Sequence, residues 1–550
     1  MNSADEILAA LDPQQRAAAE ALVGPVCILA GAGTGKTRTI THRIAFGIAT
    51  GRYAAPRTMA LTFTTRAAGE LRQRLRSLGA GEVQARTFHS AALAQLGYFW
   101  PRVIGGTTPR IVESKSRMIA EAAQESGVRV DAATLRDLAA EIEWRKVSDL
   151  SIEEWADAGR SVPGVSIGQV AAVQRAYEEL KDERRQMDLE DVLLATAGMI
   201  ASEPLIAREV RERYRTFVVD EYQDVSPIQH RLLRLWLGER RDLCVVGDAN
   251  QTIYSFAGAS AGYLLGFERE FPGAEVVRLE HSHRSTQSIL DLANRLVAGR
   301  PGGLRLVTTT DGGLAASPEL GVAASEAEEA ASVAAAVRAD VGDGIEPQRI
   351  AVLVRLGAQV PVIEDALRAA RLPVSVRGDA RFFDQPHVRE AIVHLVAARR
   401  AAPPGEPAAV TAGGVLAGLG WSSQAPVALG SALERWTALD ALHRIALDAG
   451  PMPFSRFVDD LLERQATGDD PVTGAVTIST IHAAKGLEWD SVHVVGLSDG
   501  LLPIVHATDD AQLAEERRLL YVAITRAKRR LRLTRSSARP PSRFLAELGL

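Results

Sequence analysis

Residues 26–38 read VCILAGAGTGKTR, an apolar run that passes through a glycine-rich turn into Gly-Lys-Thr. The apolar run predicts a buried strand, and the segment after it predicts a helix. Glycines at 31, 33 and 35 let successive backbone N–H groups converge on phosphate oxygens, and a helix opening at that point aims its N-terminus at the anion. The stretch therefore predicts a nucleotide cradle made of Ala30, Gly31, Ala32, Gly33, Thr34, Gly35, Lys36, Thr37 and Arg38, with Mg²⁺-ATP as its ligand. Lys36 is placed to reach the β- and γ-phosphates and Thr37 to ligate Mg²⁺. The strict form of the motif has glycine where this chain has Ala30. Only six of the 63 basic residues are lysines, so a lysine at the one place that needs a compact point charge is informative.

Such a loop needs a second carboxylate for its metal. FVVDEYQD (217–224) supplies it, because three apolar residues put Asp220 and Glu221 at the C-terminal end of a strand. Asp220 would hold Mg²⁺ through water, and Glu221 would orient and deprotonate the attacking water. Hydrolysis is thus better supported than binding alone.

The 550 residues exceed what one core holds, which predicts two to four domains. A net charge of −5, from 63 basic and 68 acidic residues, excludes a wholly basic coat, so any polyanion must be held by local patches. Residues 521–550 are such a patch, with eight basic groups (526, 528, 529, 530, 532, 535, 539 and 543) against Glu547. Two cysteines, Cys27 and Cys244, exclude a disulfide framework and a cysteine zinc site. MNSADEIL lacks the features of a secretory signal, and the longest uncharged stretch is broken by Gly, Ser, Gln and Pro. A cytoplasmic chain with no membrane span is the expectation.

Short β-branched runs recur in two sets, at about 20–90 with 213–255 and at about 275–355 with 475–535, VVRLEHS (276–282) falling in the second. Continuous apolar strands separated by helical segments predict parallel sheets covered on both faces, an α/β fold. Each set is interrupted by an amphipathic or Ala/Leu-rich insert. The expected organisation is a first core at 1–104 and 188–275 with a helical insertion at 105–187. A second core at 276–390 and 471–550 carries a smaller helical insertion at 391–470, whose opening AARRAAPPGEPAA reads as an exposed linker.

The motifs, in order, resemble those of superfamily 1 DNA helicases of the UvrD/PcrA/Rep type over about 95% of the chain. LDPQQ (11–15) is similar to that family's adenine-reading glutamine motif, and AGAGTGKT (30–37) has the family's own first-position alanine. TFTTRAAGELRQRL (62–75) and TFHS (87–90) resemble its first DNA-contact motifs, and DEYQD its acidic motif. VVGDANQTIYSFAGA (245–259), LEHSHRSTQSIL (279–290), TIHAAKGLEWDSV (480–492) and EERRLLYVAITRAKRRL (515–531) complete the set. The resemblance implies two RecA-like P-loop cores with ATP in the cleft they close. It implies Gln15 on the base, Gln251 sensing the γ-phosphate, Arg284 and Arg526 as arginine fingers, and Glu488 near the ribose. It also implies a 3′→5′ motor on single-stranded DNA and its junctions with duplex, with DNA-repair proteins as possible partners. Three departures stand out: Ala257 replaces an arginine, His283 replaces a stacking tyrosine, and the second insertion, about eighty residues, is short.

A groove that grips single strands without reading sequence combines cations with stacking aromatics. Phe63, Phe88, Tyr254 and Phe256 lie in polar turns beside strands. The resemblance places Phe63, Tyr254 and Phe256 on the DNA path, His89 and His482 near its backbone, and Thr64, Arg66 and Thr87 in the contact motifs. Two other readings compete. A DNA-independent P-loop enzyme leaves the second core without a task. A non-catalytic ATP-gated clamp would need one of the catalytic residues to be missing, and none is; a protein-displacing translocase that unwinds little fits the short second insertion.

Overall fold

The computed structural model describes residues 3–309, 317–377, 383, 386–399, 402–403, 405–424, 431–467 and 474–550. They form two units, Met1–Ser282 with Gly299–Arg305, and His283–Ala298 with Leu306–Leu550.

The first unit is built on a six-stranded sheet in the order Gln84–Thr87, Thr58–Thr62, Thr216–Val219, Leu243–Gly247, Val26–Ala30, Glu275–Leu279. All five pairings are parallel. Side chains alternate between its two faces, as the two-residue period of a strand requires. Cys27, Met59, Leu61, Phe217, Val219 and Val245 enter one core. Val26, Ile28, Ala60, Val218, Cys244 and Val246 enter the other. The cysteines are therefore buried on opposite faces and reduced. Helices Lys115–Glu125, Ala132–Val147, Ile152–Asp157 and Ile167–Glu183 fall in the insert and pack their own core around Ile119, Leu138, Trp155 and Tyr177.

The second unit repeats the plan with Glu319–Ala323, Ala527–Ser536, Trp489–Val494, Ile350–Val354, Val476–Thr480 and Val374–Arg377, again all parallel. Helices Pro386–Ala398, Ala408–Gly418, Ser431–Asp448 and Phe454–Thr467 share a separate core that includes Phe383, Leu395, Leu442 and Phe457. Of the expected linker, Ala408 is buried and donates its N–H to Met452 O at 3.0 Å, so its end is tied down. Among the described residues no helix is long and apolar enough to cross a membrane.

The apolar runs of the two sets are strands, with one reassigned. Glu275–Leu279 pairs with Val26–Ala30 in the first sheet and does not open the second. It is an edge strand with mostly exposed side chains, and hydrophobicity reports that a run is a strand without saying which sheet it joins. Gln84–Thr87, Glu319–Ala323 and Val374–Arg377 went unforeseen because short, mixed edge strands carry no apolar run.

Candidate nucleotide and nucleic-acid site

The buried strand Val26–Ala30 ends under a loop in which Gly33 and Gly35 both have φ +76°, a region costly for residues with a Cβ. Gly35 caps the helix Lys36–Ala49. A Cβ there would stand 2.6 Å from Gln15 Nε2, so glycine is needed both for its backbone and for the space. Ala30 and Ala32 are buried, and Thr34 Oγ1 donates to Gly31 O at 2.9 Å, closing the loop. Gln15 is also buried: its Nε2 donates to Thr34 O at 3.0 Å and its Oε1 accepts from Asp12 N–H at 3.2 Å. It ties the helix Pro13–Glu20 to the phosphate loop. Arg38 turns away to donate to Ala10 O. Lys36 Nζ lies 3.4 Å from Ala30 O, folded back along the loop.

The fold brings Thr37 and Asp220 together across 183 residues, with Thr37 Oγ1 donating to Asp220 Oδ2 at 3.3 Å. Asp220 follows the fully buried strand Thr216–Val219. Burial, then the neighbouring charge of Glu221, pushes the Asp220 carboxyl up to about 7, against the opposing pull of Lys36. A hydroxyl beside a buried carboxylate is a hard-oxygen donor set of the kind Mg²⁺ takes, and a cation there would offset the crowded negative charge. Glu221 has φ +52°, a left-handed conformation rare for a non-glycine residue and concentrated at functional sites.

The Glu221 carboxylate is oriented by a residue to which the motifs assign no role. Gln223, completely buried, donates from Nε2 to Glu221 Oε2 at 2.5 Å and accepts Asp248 N–H on Oε1 at 3.0 Å. A Cβ at Gly247 would stand 2.5 Å from Gln223 Oε1. Asp248 in turn accepts from Gln251 Nε2 at 2.8 Å and from Asn250 N–H at 3.0 Å. Thr252 Oγ1 reaches Gln223 O at 3.4 Å. The acid end, Gln251 and the turn after it thus form one hydrogen-bonded chain. Only the spacing of two glutamines and two aspartates hinted at it.

That turn carries Tyr254 and Phe256, whose rings meet edge to face at 6.1 Å. Phe256 is 60% exposed. Tyr254 is half-buried, and burial, then the charges of Asp224 and Glu221, raises its phenol. Phe63 is half-buried and tilts against Phe88 at 6.3 Å. Phe88 departs from expectation. It is 1% exposed and stacks on Trp236 at 6.0 Å inside the core, because it begins the helix Phe88–Val103 on the face turned to the sheet. No ring face is left for a base. Thr64 and Thr87 cap helices, accepting from Ala67 N–H and Ser90 N–H at 3.1 Å each, and the exposed Arg66 pairs with Glu70 at 3.3 Å. Burial holds His89 below the ordinary imidazole value, against the opposing charge of Glu190.

In the second unit, Arg284 Nη2 binds Glu488 Oε2 at 2.6 Å and Lys528 Nζ binds Glu488 Oε1 at 2.8 Å. Burial works against the Glu488 charge, but the two cations hold its carboxyl below the usual range. Arg284 also donates to Thr525 O at 3.2 Å. Arg526 is buried and donates to Val522 O at 2.9 Å and Leu487 O at 3.1 Å. The two arginines and Glu488 therefore belong to one cluster. His482 is held down to about 4 by burial, then by Arg355 and Lys485. His283 pairs its Nδ1 with Thr309 Oγ1 at 2.7 Å.

Residues 11–272 match the model of the UvrD/REP helicase N-terminal domain, and residues 277–402 and 445–538 that of the UvrD-like helicase C-terminal domain. The chain is 45% identical to the ATP-dependent DNA helicase UvrD2 of Mycobacterium tuberculosis, over 99% of this chain and 82% of that protein. It is 29% identical to the ATP-dependent DNA helicase UvrD1 of the same species, over 99% and 86%. It is also 29% identical to DNA helicase II of Escherichia coli, over 98% and 88%.

Proposed function

This chain belongs to the UvrD/REP helicase family and is an ATP-hydrolysing DNA helicase, and we propose that it moves 3′→5′ along single-stranded DNA, separating strands at junctions during repair or replication in the cytoplasm. The observation that carries this reading is the chain of contacts from Thr37 and Asp220, through Glu221 and Gln223, to Thr252, two residues before the aromatic turn at 254–256. A nucleotide site wired to a stacking turn is what coupling hydrolysis to a strand requires.

In this proposal Lys36 and the loop N–H groups bind the phosphates, Gln251 senses the γ-phosphate, Gln15 faces the base and Glu488 the ribose. Thr37 and Asp220 would hold Mg²⁺, which would supply positive charge against the charge developing on the phosphates. Glu221 accepts the proton of the attacking water. Arg284 and Arg526 act as fingers, exchanging their present partners, the Glu488 carboxylate among them, for phosphate. Phe63, Tyr254 and Phe256 stack bases, while Arg66, Thr64, Thr87, His89 and His482 contact the strand's backbone.

The test is phosphate release with and without oligo-dT, together with strand displacement from duplexes tailed at the 3′ or the 5′ end. Turnover indifferent to oligo-dT would overturn the motor reading, and displacement only from 5′-tailed duplexes would overturn the polarity. The short second insertion supports one variation, a translocase that strips proteins and unwinds slowly on its own. Brisk unwinding by the isolated monomer excludes that variation.

A further inference from the structure

Lysine is scarce in this chain, and three of its six lysines, at 36, 485 and 528, lie in or beside the motifs. The other three, Lys115, Lys146 and Lys181, lie where the first helical insertion meets the core. Two of them are buried side by side, Lys146 at 1% and Lys181 at 2% exposure. Lys146 Nζ meets three carboxylates, Asp191 at 2.6 Å, Asp188 at 2.7 Å and Glu178 at 3.0 Å. Lys181 binds Glu178 at 2.7 Å and also Asp191. Arg145 adds a bond to Glu178 at 2.7 Å and one to Gln174 at 2.6 Å, and Tyr177 OH donates to Asp188 at 3.0 Å. Three cations face three carboxylates, so the cluster is neutral as a whole. A planar guanidinium cannot aim at three carboxylates arranged around a point, whereas an ammonium with three tetrahedral donors can. Lysine is used here for its shape.

The cluster joins elements of different origin. Arg145 and Lys146 end the helix Ala132–Val147, and Glu178 and Lys181 sit on Ile167–Glu183, both in the insertion. Asp188 and Asp191 form the capping box of Leu189–Ser202, which packs into the core. The next residues of the first helix complete the junction. Val147 Cγ2 lies 2.7 Å from where a Cβ on Gly258 would stand, and Gly258 has φ +85°. Asp149, itself at φ +59°, takes a two-pronged bond from Arg231 at 2.8 and 2.9 Å. Arg231 is on Pro227–Leu237, the helix that follows the acid end.

We propose that the Lys146–Lys181 cluster is a positioning device for strand binding: it fixes the end of helix Ala132–Val147 as the buttress against which the Tyr254–Gly258 turn rests, so that the turn's rings are held ready for bases. Lys146 and Val147 touch neither nucleotide nor DNA and act through the turn. The proposal rests on the reading of that turn as a DNA contact.

The test uses the full chain with oligo-dT as the probe. Lys146→Arg keeps the charge but not the tetrahedral fit, and Val147→Ala removes the buttressing methyls while leaving the ion cluster whole. Each is expected to raise the oligo-dT concentration that half-saturates ATP turnover, by about tenfold for Lys146→Arg, equal to one lost stacking contact, and less for Val147→Ala. DNA-free turnover and the KM for ATP stay at parental values. Parental half-saturation in Val147→Ala overturns the proposal even if Lys146→Arg fails to fold. Losses of DNA-free turnover that match the losses in DNA-stimulated turnover, with half-saturation unmoved, also overturn it, since they mark a structural role only. Phe256→Ala separates the two levels. If it weakens oligo-dT binding while Val147→Ala does not, the buttress fails alone; if it binds normally, the reading of the turn fails and the buttress with it.

Discussion

Replacing Gln223 by leucine keeps the buried volume and removes three side-chain hydrogen bonds, of which the longest runs to Asp224 at 3.4 Å and the other two have different consequences. The bond from Nε2 to Glu221 Oε2, 2.5 Å long, orients the carboxylate assigned to activate water. A hydrogen bond to a charged group contributes about 1.5–3 kcal/mol. If that orientation is needed in the transition state, kcat falls by about tenfold to 150-fold, at 1.36 kcal/mol per factor of ten. The second bond, Asp248 N–H to Oε1, leaves a buried donor without its acceptor, at a cost of about 1–3 kcal/mol of stability. That lowers the melting temperature by about 2–4 °C for each kcal/mol. The assay is phosphate release at saturating Mg²⁺-ATP and oligo-dT, well below the melting transition, with the KM for ATP measured alongside. Gln223→Glu gives the second arm, because it restores an acceptor for Asp248 N–H but sets a carboxylate against Glu221. The expected pattern is a low kcat in both variants with KM within about twofold of the parent, the leucine variant also melting early. A leucine variant that melts early yet turns over at the parental rate refutes the reasoning, since Gln223 would then support the fold and not the base.

Four further outcomes follow from the same geometry. Glu221→Gln abolishes turnover while ATP still binds, measured by phosphate release and nucleotide titration; normal turnover would remove Glu221 from its role. Gly35→Ala, which meets Gln15 Nε2 at 2.6 Å and needs φ +76°, weakens ATP binding and lowers the melting temperature; parental values in both would show that the loop yields at no cost. Phe256→Ala lowers oligo-dT affinity by about 1–3 kcal/mol with little change in melting, whereas Phe88→Ala destabilises the core by about 3–5 kcal/mol, the pair being resolved by anisotropy and thermal melts. His482 titrates near 4 when folded against the usual 6.5, so the unfolded chain binds the proton more readily. Its contribution is present above pH 6.5 and lost as pH falls toward 4, at most about 3 kcal/mol, and His482→Asn should flatten the denaturant-midpoint profile of the second unit in that window.

The parts of the site visible in the sequence are those whose chemistry is contiguous. The phosphate loop and the acid end each fit within a dozen residues, and each announces itself by a strand running into the residues the chemistry needs. Gln223 was hidden because a glutamine has no assigned task until the fold brings Asp248 N–H within 3.0 Å of it. Phe63 and Phe88 occupy similar settings in the sequence, each after a threonine and before a polar residue, yet one is half-buried and the other is core. The direction of the following helix decides this, and a motif does not contain it. The ion cluster was equally silent, because its bonded partners lie up to 45 residues apart and read singly as charges on amphipathic helices. The apolar strands were legible, but three short edge strands were not, nor was the membership of Glu275–Leu279 in the first sheet, since pairing partners are set by topology.

The way the first sheet is threaded has a consequence for synthesis. Thr58–Thr62 pairs on one side with Gln84–Thr87, soon after it emerges, but on the other with Thr216–Val219. The pairing of Thr58 with Thr216 spans 158 residues (216 − 58). At roughly 5–20 residues per second of translation, that is a delay of about 8–30 s. During it a buried strand's edge stays open while the insertion's helices, whose contacts are local, have time to fold. The nascent chain between these points is open to aggregation, and slowing the ribosome there prolongs the exposure of the strand that leads into Phe63.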